Sequence, residues 1–228
     1  MIYLSQTAHV INTFKIWRMH SLFMLLACLM FFSNVAFSSD KNEQNLLQSM
    51  AGTPFDSFKV ADNAAISASK KIYIEKVDAS FSKDWLTKFT SKTSRNYRNT
   101  TLQQYADSFR THLIEELNSA GWEVVNAPYD GVLVASAVLS NIHISGPQQI
   151  GTQHSLITEF GFSHIEFDLK GGNKRSILQI QDRRSVATSS GTLIETNRAL
   201  NFSKFSHLFK GWANDITVFI NLISPNTN

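Results

Sequence analysis

The closing stretch "NFSKFSHLFKGWANDITVFINLI" (201–223) sets Phe202, Phe205, Phe209, Trp212, Ile216, Phe219, Ile220 and Ile223 at steps of three and four. That spacing puts all eight on one side of a helix. Leaving so much aromatic and aliphatic area in water would cost several kcal/mol, at about 25 cal/mol per Å². The rest of the chain must therefore offer this helix a broad apolar surface, and the simplest such surface is one face of a β-sheet. A lipid groove is the other use for an aromatic stripe, but helical spacing and the need for a core favour ordinary packing.

Strand-forming segments are present to supply that surface. "KKIYIEKV" places β-favouring Ile72, Tyr73 and Ile74 between charged residues and predicts a strand from about Lys71 to Val77. A second amphipathic helix follows, with Leu102, Tyr105, Ala106, Phe109, Leu113, Leu117 and Ala120 in phase and Gly121 placed to end it as a left-handed cap. "WEVV" predicts a short strand and "APYDG" a turn. "VLVASAVLSNIHIS" predicts a long strand, apolar on both faces between Val132 and Leu139, and so central with cover on each side. Two further strands, Thr158 to Leu169 and Arg175 to Val186, flank "KGGNK", whose Gly-Gly-Asn suits the positive φ angles of a tight hairpin. The order β-α-β-β-β-β-α predicts an α+β two-layer sandwich, with a mostly antiparallel sheet of about five strands and two main helices on one face.

The N-terminal part reads differently. Lys15 and Arg18, with no acid nearby, precede the apolar run Leu22 to Phe32, which is the layout of a secretory signal peptide. The run is too short and too interrupted to be a permanent span, which needs roughly 20 predominantly apolar residues. Two processing routes fit. "AFS" at 36–38 suits cleavage after Ser38, whereas "LLAC" at 25–28 resembles a lipobox that would acylate Cys28. Leu29, Met30, Phe31 and Phe32 follow Cys28 where a polar tether is usual, and this favours cleavage after Ser38. The resulting division is a signal peptide over 1–38, a flexible tether over 39–69 with one docked turn near Phe55 and Phe58, and a single domain over 70–228.

Loss of the leader removes two cations and brings the net charge of +3 toward neutrality. A balanced surface lacks the field that steers binding to nucleic acid. Cys28 is the single cysteine, so cleavage after Ser38 excludes disulfides, thiolate catalysis and cysteine-bound zinc together.

Chemistry-bearing residues are scattered. His143, His164 and Glu166 fall on neighbouring strands and are the one combination suited to zinc, but no H-x-H or H-E-x-x-H spacing supports it, and no cofactor or metal is expected. Ser163 and His164 are adjacent in a strand and point to opposite faces, so they cannot pair. Glu159, Glu166 and Asp168 allow many carboxylate pairs, which makes the pattern uninformative for glycosidase chemistry. Gly171-Gly172 is a hairpin tip and not a phosphate loop. The most unusual grouping is arginine: Arg95 and Arg98 in "SRNYR" with Arg183 and Arg184 in "QDRR". Their planar donor forks suit a recognition face, and the competing use is a structural ion pair of one of them with Asp182 or Asp84.

Taken as an ordered set, "KKIYIEKVDASFSKDW", "SRNYRN", "AGWEVVNAP", "QDRR" and "FSHLFKGWANDI" resemble the bacterial domain of unknown function family 3313, described as lipoproteins, over about Phe55 to Ile223. The resemblance implies a Gram-negative exported protein, often lipid-anchored, with no assigned activity. The expected function is thus a non-enzymatic accessory or binding module of the cell envelope. It would be periplasmic or an outer-membrane lipoprotein, and would contact an envelope protein or peptidoglycan. Membrane contact would come only through an acyl chain on Cys28. A hydrolase with a site assembled from distant residues, and a carrier of an apolar ligand, are the alternatives.

Overall fold

The computed structural model describes residues 52–62, 66, 69–146, 155–172, 174–188 and 192–224. The leader with Cys28, and His154, lie outside the described residues. The elements are β1 (Ser57–Val60), β2 (Lys71–Ile74), β3 (Asp78–Phe81), α1 (Lys83–Phe89), a 3-10 turn (Thr90–Lys92), α2 (Arg95–Ser119), β4 (Glu123–Val125), β5 (Leu133–Ile144), β6 (Ser155–Ile157), β7 (Glu159–Lys170), β8 (Ser176–Ala187), β9 (Ile194–Thr196) and α3 (Arg198–Ile223).

The α+β class is as expected, but the sheet is larger and mixed. Seven strands run in the order β1-β8-β7-β5-β2-β4, with β3 also paired to β5, and β6 and β9 form a separate two-stranded ribbon. The meander β5-β7-β8 is antiparallel. By contrast β2 pairs in parallel with both β4 and β5, and β3 pairs in parallel with β5. The strand expected over Lys71–Val77 ends at Ile74, and β3, which was not expected, follows it at Asp78–Phe81; the two lie beside β5, at Leu133–Ala135 and then at Val138–Ile142. The segment expected to be a tether contains β1, which pairs antiparallel with Leu178–Gln181. Four residues were too few to show a period. What holds them is their inward side, where Phe58 meets Phe219 with ring centroids 5.0 Å apart.

α1 was not expected. Ser82 caps it by accepting a bond from the Trp85 N–H at 3.1 Å, with Asp84 in the first turn, an arrangement that favours even one short helix. Trp85 anchors it, fully buried, stacked on Phe81 at 3.9 Å and donating its indole N–H to the Ile144 carbonyl at 3.0 Å.

The two long helices behave as their periodicity requires. α2 ends with Gly121 at φ +83°, and the Trp122 N–H returns to the Leu117 carbonyl at 3.0 Å, so the left-handed cap closes the helix. α3 presents Phe205, Phe209, Trp212, Ile216, Phe219, Ile220 and Ile223 as buried residues. Tyr105 and Phe109 of α2 lock against Phe205 and Phe209, with centroids 5.0 to 6.4 Å apart. Phe202, on the predicted stripe, lies at its margin and stays 36% exposed.

The "KGGNK" turn closes with the Lys174 N–H bonded to the Gly171 carbonyl. Among its described residues the positive φ, 61°, falls on Lys174 and not on a glycine.

Candidate functional site

Strand alternation sorts the sheet into two unlike faces. The inner positions of β5, β7 and β8 include Ala135, Ala137, Leu139, Ile165, Phe167, Leu169, Leu178 and Ile180, all buried. The outer positions were expected to be covered too, because Val134 and Val138 make β5 apolar on both sides. They are not: Val138 is 38% exposed in mid-strand. The antiparallel part of the sheet meets water on this side, as antiparallel sheets commonly do.

Two cross-strand rows cross that open face. One is Val138–Glu166–Gln181–Ser57 and the next is Ser136–Asp168–Gln179–Lys59, each spanning β5, β7, β8 and β1. Their side chains line a trough of about 340 Å³. It is a polar surface with both signs of charge. Asp168 is engaged within it, by Lys170 at 3.6 Å and by the Ser176 hydroxyl, and Ser57 donates to the Gln181 amide oxygen at 3.5 Å.

Further along the same face stands a stack of planar groups. His143 lies flat on Phe162 at 5.1 Å and 9°, and the Arg183 guanidinium sits 4.7 Å from the centre of that ring. His164, two residues along β7, lies 6.2 Å from the same ring. Burial lowers the His143 pKa below the ordinary 6.5 and the positive charge of Lys88 lowers it further, against smaller opposing effects of Asp84 and Glu159. Among the described residues no three His, Cys, Asp or Glu side chains form a metal-ligand group.

Ser163 and His164 do diverge: the Ser163 hydroxyl is fully buried and donates to the Ser140 carbonyl at 3.4 Å. A different serine approaches a histidine, Ser82 Oγ at 3.4 Å from His143 Nδ1. That hydroxyl is buried and holds the N-terminus of α1, so it is a cap and offers no exposed nucleophile.

The four arginines do not share one face. Arg184 points inward, where its Nε donates to Asp182 Oδ2 at 2.7 Å and its Nη1 reaches Asp215 at 2.8 Å. Asp182, 5% exposed, also accepts from the Trp212 indole at 2.7 Å and from the Asp56 N–H at 3.3 Å. This is the structural ion pair named as the competing use, and it ties β8 to α3 and to the chain before β1. Arg183, one residue earlier, points to the open face. Arg98 bonds the Thr90 and Thr93 carbonyls at 3.2 and 2.6 Å and so closes the turn before α2. Arg95 is exposed at the first position of α2.

Sequence reasoning overlooked the polar rows and the His143–Phe162–Arg183 stack. The alternation of "ILQIQDRR" did place Asp182 in phase with Leu178 and Ile180, which marks it as an inward carboxylate in need of partners.

No family model and no curated protein matches the chain, so the likeness to family 3313 rests on the sequence segments alone. Among solved structures, a crystal structure of a minor lipoprotein from Acinetobacter baumannii aligns at 12% identity and a TM-score of 0.28, covering 66% of this chain and 94% of that one. Among the described residues no helix is long and apolar enough to cross a membrane.

Proposed function

We propose that this chain is an exported cell-envelope protein that works by binding, with the open sheet face as its recognition surface for an envelope protein or peptidoglycan. The observation that carries the reading is the contrast between the two faces. The inner one is closed by large side chains such as Trp85, Phe109, Phe160 and Trp212. The outer one exposes two rows of amides, carboxylates, hydroxyls, one lysine and the single apolar Val138 along a trough. Such rows match a polar, extended partner, because successive hydrogen-bonding groups stand about 7 Å apart along each strand and 5 Å between strands.

Photo-crosslinking in intact cells tests this. A crosslinker at Gln181 should capture one dominant species, and the same group at Gln103, exposed on α2, should not. Glu166→Lys should reduce capture from Gln181 several-fold while melting stays within about 0.5 kcal/mol of wild type, as for most surface changes. Equal capture from both positions would sink the reading.

Export itself rests on the leader, and cleavage after Ser38 is the proposed route. Cys28→Ser should then leave processing and location unaltered. Accumulation of an uncleaved precursor, together with palmitate uptake by the wild type, would establish acylation at Cys28 instead.

A further inference from the structure

The α1 end of the domain carries a concentration of charge that the open face does not use. Between Lys83 and Arg98 stand five cations, Lys83, Lys88, Lys92, Arg95 and Arg98, against the single acid Asp84. Elsewhere from residue 52 onward acids outnumber Lys and Arg, 15 to 13. The positive charge of the domain is thus gathered in one segment of an otherwise slightly acidic surface.

The segment is also built to present it. Lys83, Lys88, Lys92 and Arg95 are exposed, and none of the five cations makes an ion pair among the described residues. The Lys88 and Lys92 ammonium groups stand over the Phe89 ring at 5.2 and 5.9 Å, so their charge is held beside an apolar surface with no carboxylate partner among the described residues. Leu86, 38% exposed, lies between Lys83 and Phe89 at three-residue steps, so one side of α1 offers an apolar tip ringed by cations. The platform is rigid, because Trp85 is fully buried and bonded to β5, and Arg98 fastens the following turn.

We propose that this α1 surface docks on an anionic phospholipid bilayer. Uncompensated lysines and arginines are drawn to the negative potential of such a surface, which falls off within a Debye length. An exposed leucine among them gains by entering the boundary between headgroups and acyl chains. A nucleic-acid strand would reward stacking rings instead, and the segment offers no free one: Phe89 is flanked by its lysines and Tyr97 by Arg198 at 5.4 Å. The docking does not depend on the partner proposed for the open face.

The test is partitioning of the chain onto vesicles of phosphatidylcholine alone and with about 30% phosphatidylglycerol, in the Cys28→Ser background so that no acyl chain contributes. Partition coefficients multiply, so dividing the parent's ratio between the two vesicle types by that of a variant cancels what the leader, with its Lys15 and Arg18, contributes to both proteins. The ratio should exceed about tenfold at low salt and collapse near 0.5 M salt, where the Debye length is only a few Å. The variant Lys83→Gln/Lys88→Gln/Lys92→Gln/Arg95→Gln should lower the ratio by about tenfold or more relative to the parent with an unchanged melting temperature. Leu86→Ser should lower binding to the anionic vesicles several-fold. A ratio near unity for the parent, or an unaltered ratio in the four-fold variant, overturns the proposal. An unaffected Leu86→Ser protein that soluble polyphosphate removes completely overturns it too, because the surface would then read polyanions in general.

Discussion

Trp212→Ala should be the most damaging single change in the domain, lowering its stability by about 3 to 5 kcal/mol through lost burial and the cavity left behind. Domains of this kind have only about 5 to 15 kcal/mol in total, so the variant should be largely unfolded near physiological temperature. The indole is fully buried, stacks on Phe209 at 6.1 Å and donates its N–H to Asp182. Removing it also takes one of the few donors from a buried carboxylate, which adds to the cost. Trp212→Phe separates the two effects: it keeps most of the volume, deletes the donor and should cost about 1 to 3 kcal/mol. Chemical denaturation measures both. A Trp212→Ala protein that unfolds like wild type but fails to capture a partner would mean that α3 carries the binding surface and that core and face have been assigned the wrong way round.

Gly161→Ala should come second, at about 3 kcal/mol or more, because strain of this kind costs 1 to 3 kcal/mol before any clash is added. Gly161 sits in β7 with φ +135°, a backbone region open in practice only to glycine. It faces the bulge in β5 where the register shifts between Ser140 and His143, with Asn141 at φ 52°. A Cβ at position 161 would overlap the His143 carbonyl. The strands must part to admit it, and that would displace the His143–Phe162 stack next to it. The expected result is a lower denaturation midpoint together with a changed ring environment of His143 in NMR spectra. An alanine variant with wild-type stability would show that β5 and β7 do not approach so closely at the bulge.

Both predictions draw on features with very different visibility in the sequence. The burial of Trp212 follows from its place among Phe205, Phe209, Ile216 and Phe219 at helical spacing. The inward carboxylate of Asp182 follows from its phase with Leu178 and Ile180, and the end of α2 follows from Gly121. These are local facts, since periods of 3.6 and 2 fix which side chains share a side of an element before any tertiary contact forms. Gly161 was different. A lone glycine in a strand suggests a bulge or a close approach, but its partner lies across the sheet on β5.

The amino-acid sequence by itself determined the two long helices, the β5-β7-β8 meander, the apolar stripe that joins helix to sheet and the phase of side chains along the long strands. Tertiary structure alone decided that β2 and β3 lie parallel to β5, that the supposed tether docks Ser57–Val60 as an edge strand, and that the outer face stays open with its two polar rows aligned. It also decided that Arg183 and Arg184 serve opposite faces and that the cations from Lys83 to Arg95 make no ion pair among the described residues. The reason is physical. Periodicity records whether a side chain can be buried, whereas pairing direction, register and cover depend on contacts between residues far apart in the chain, whose energies appear only when those residues meet.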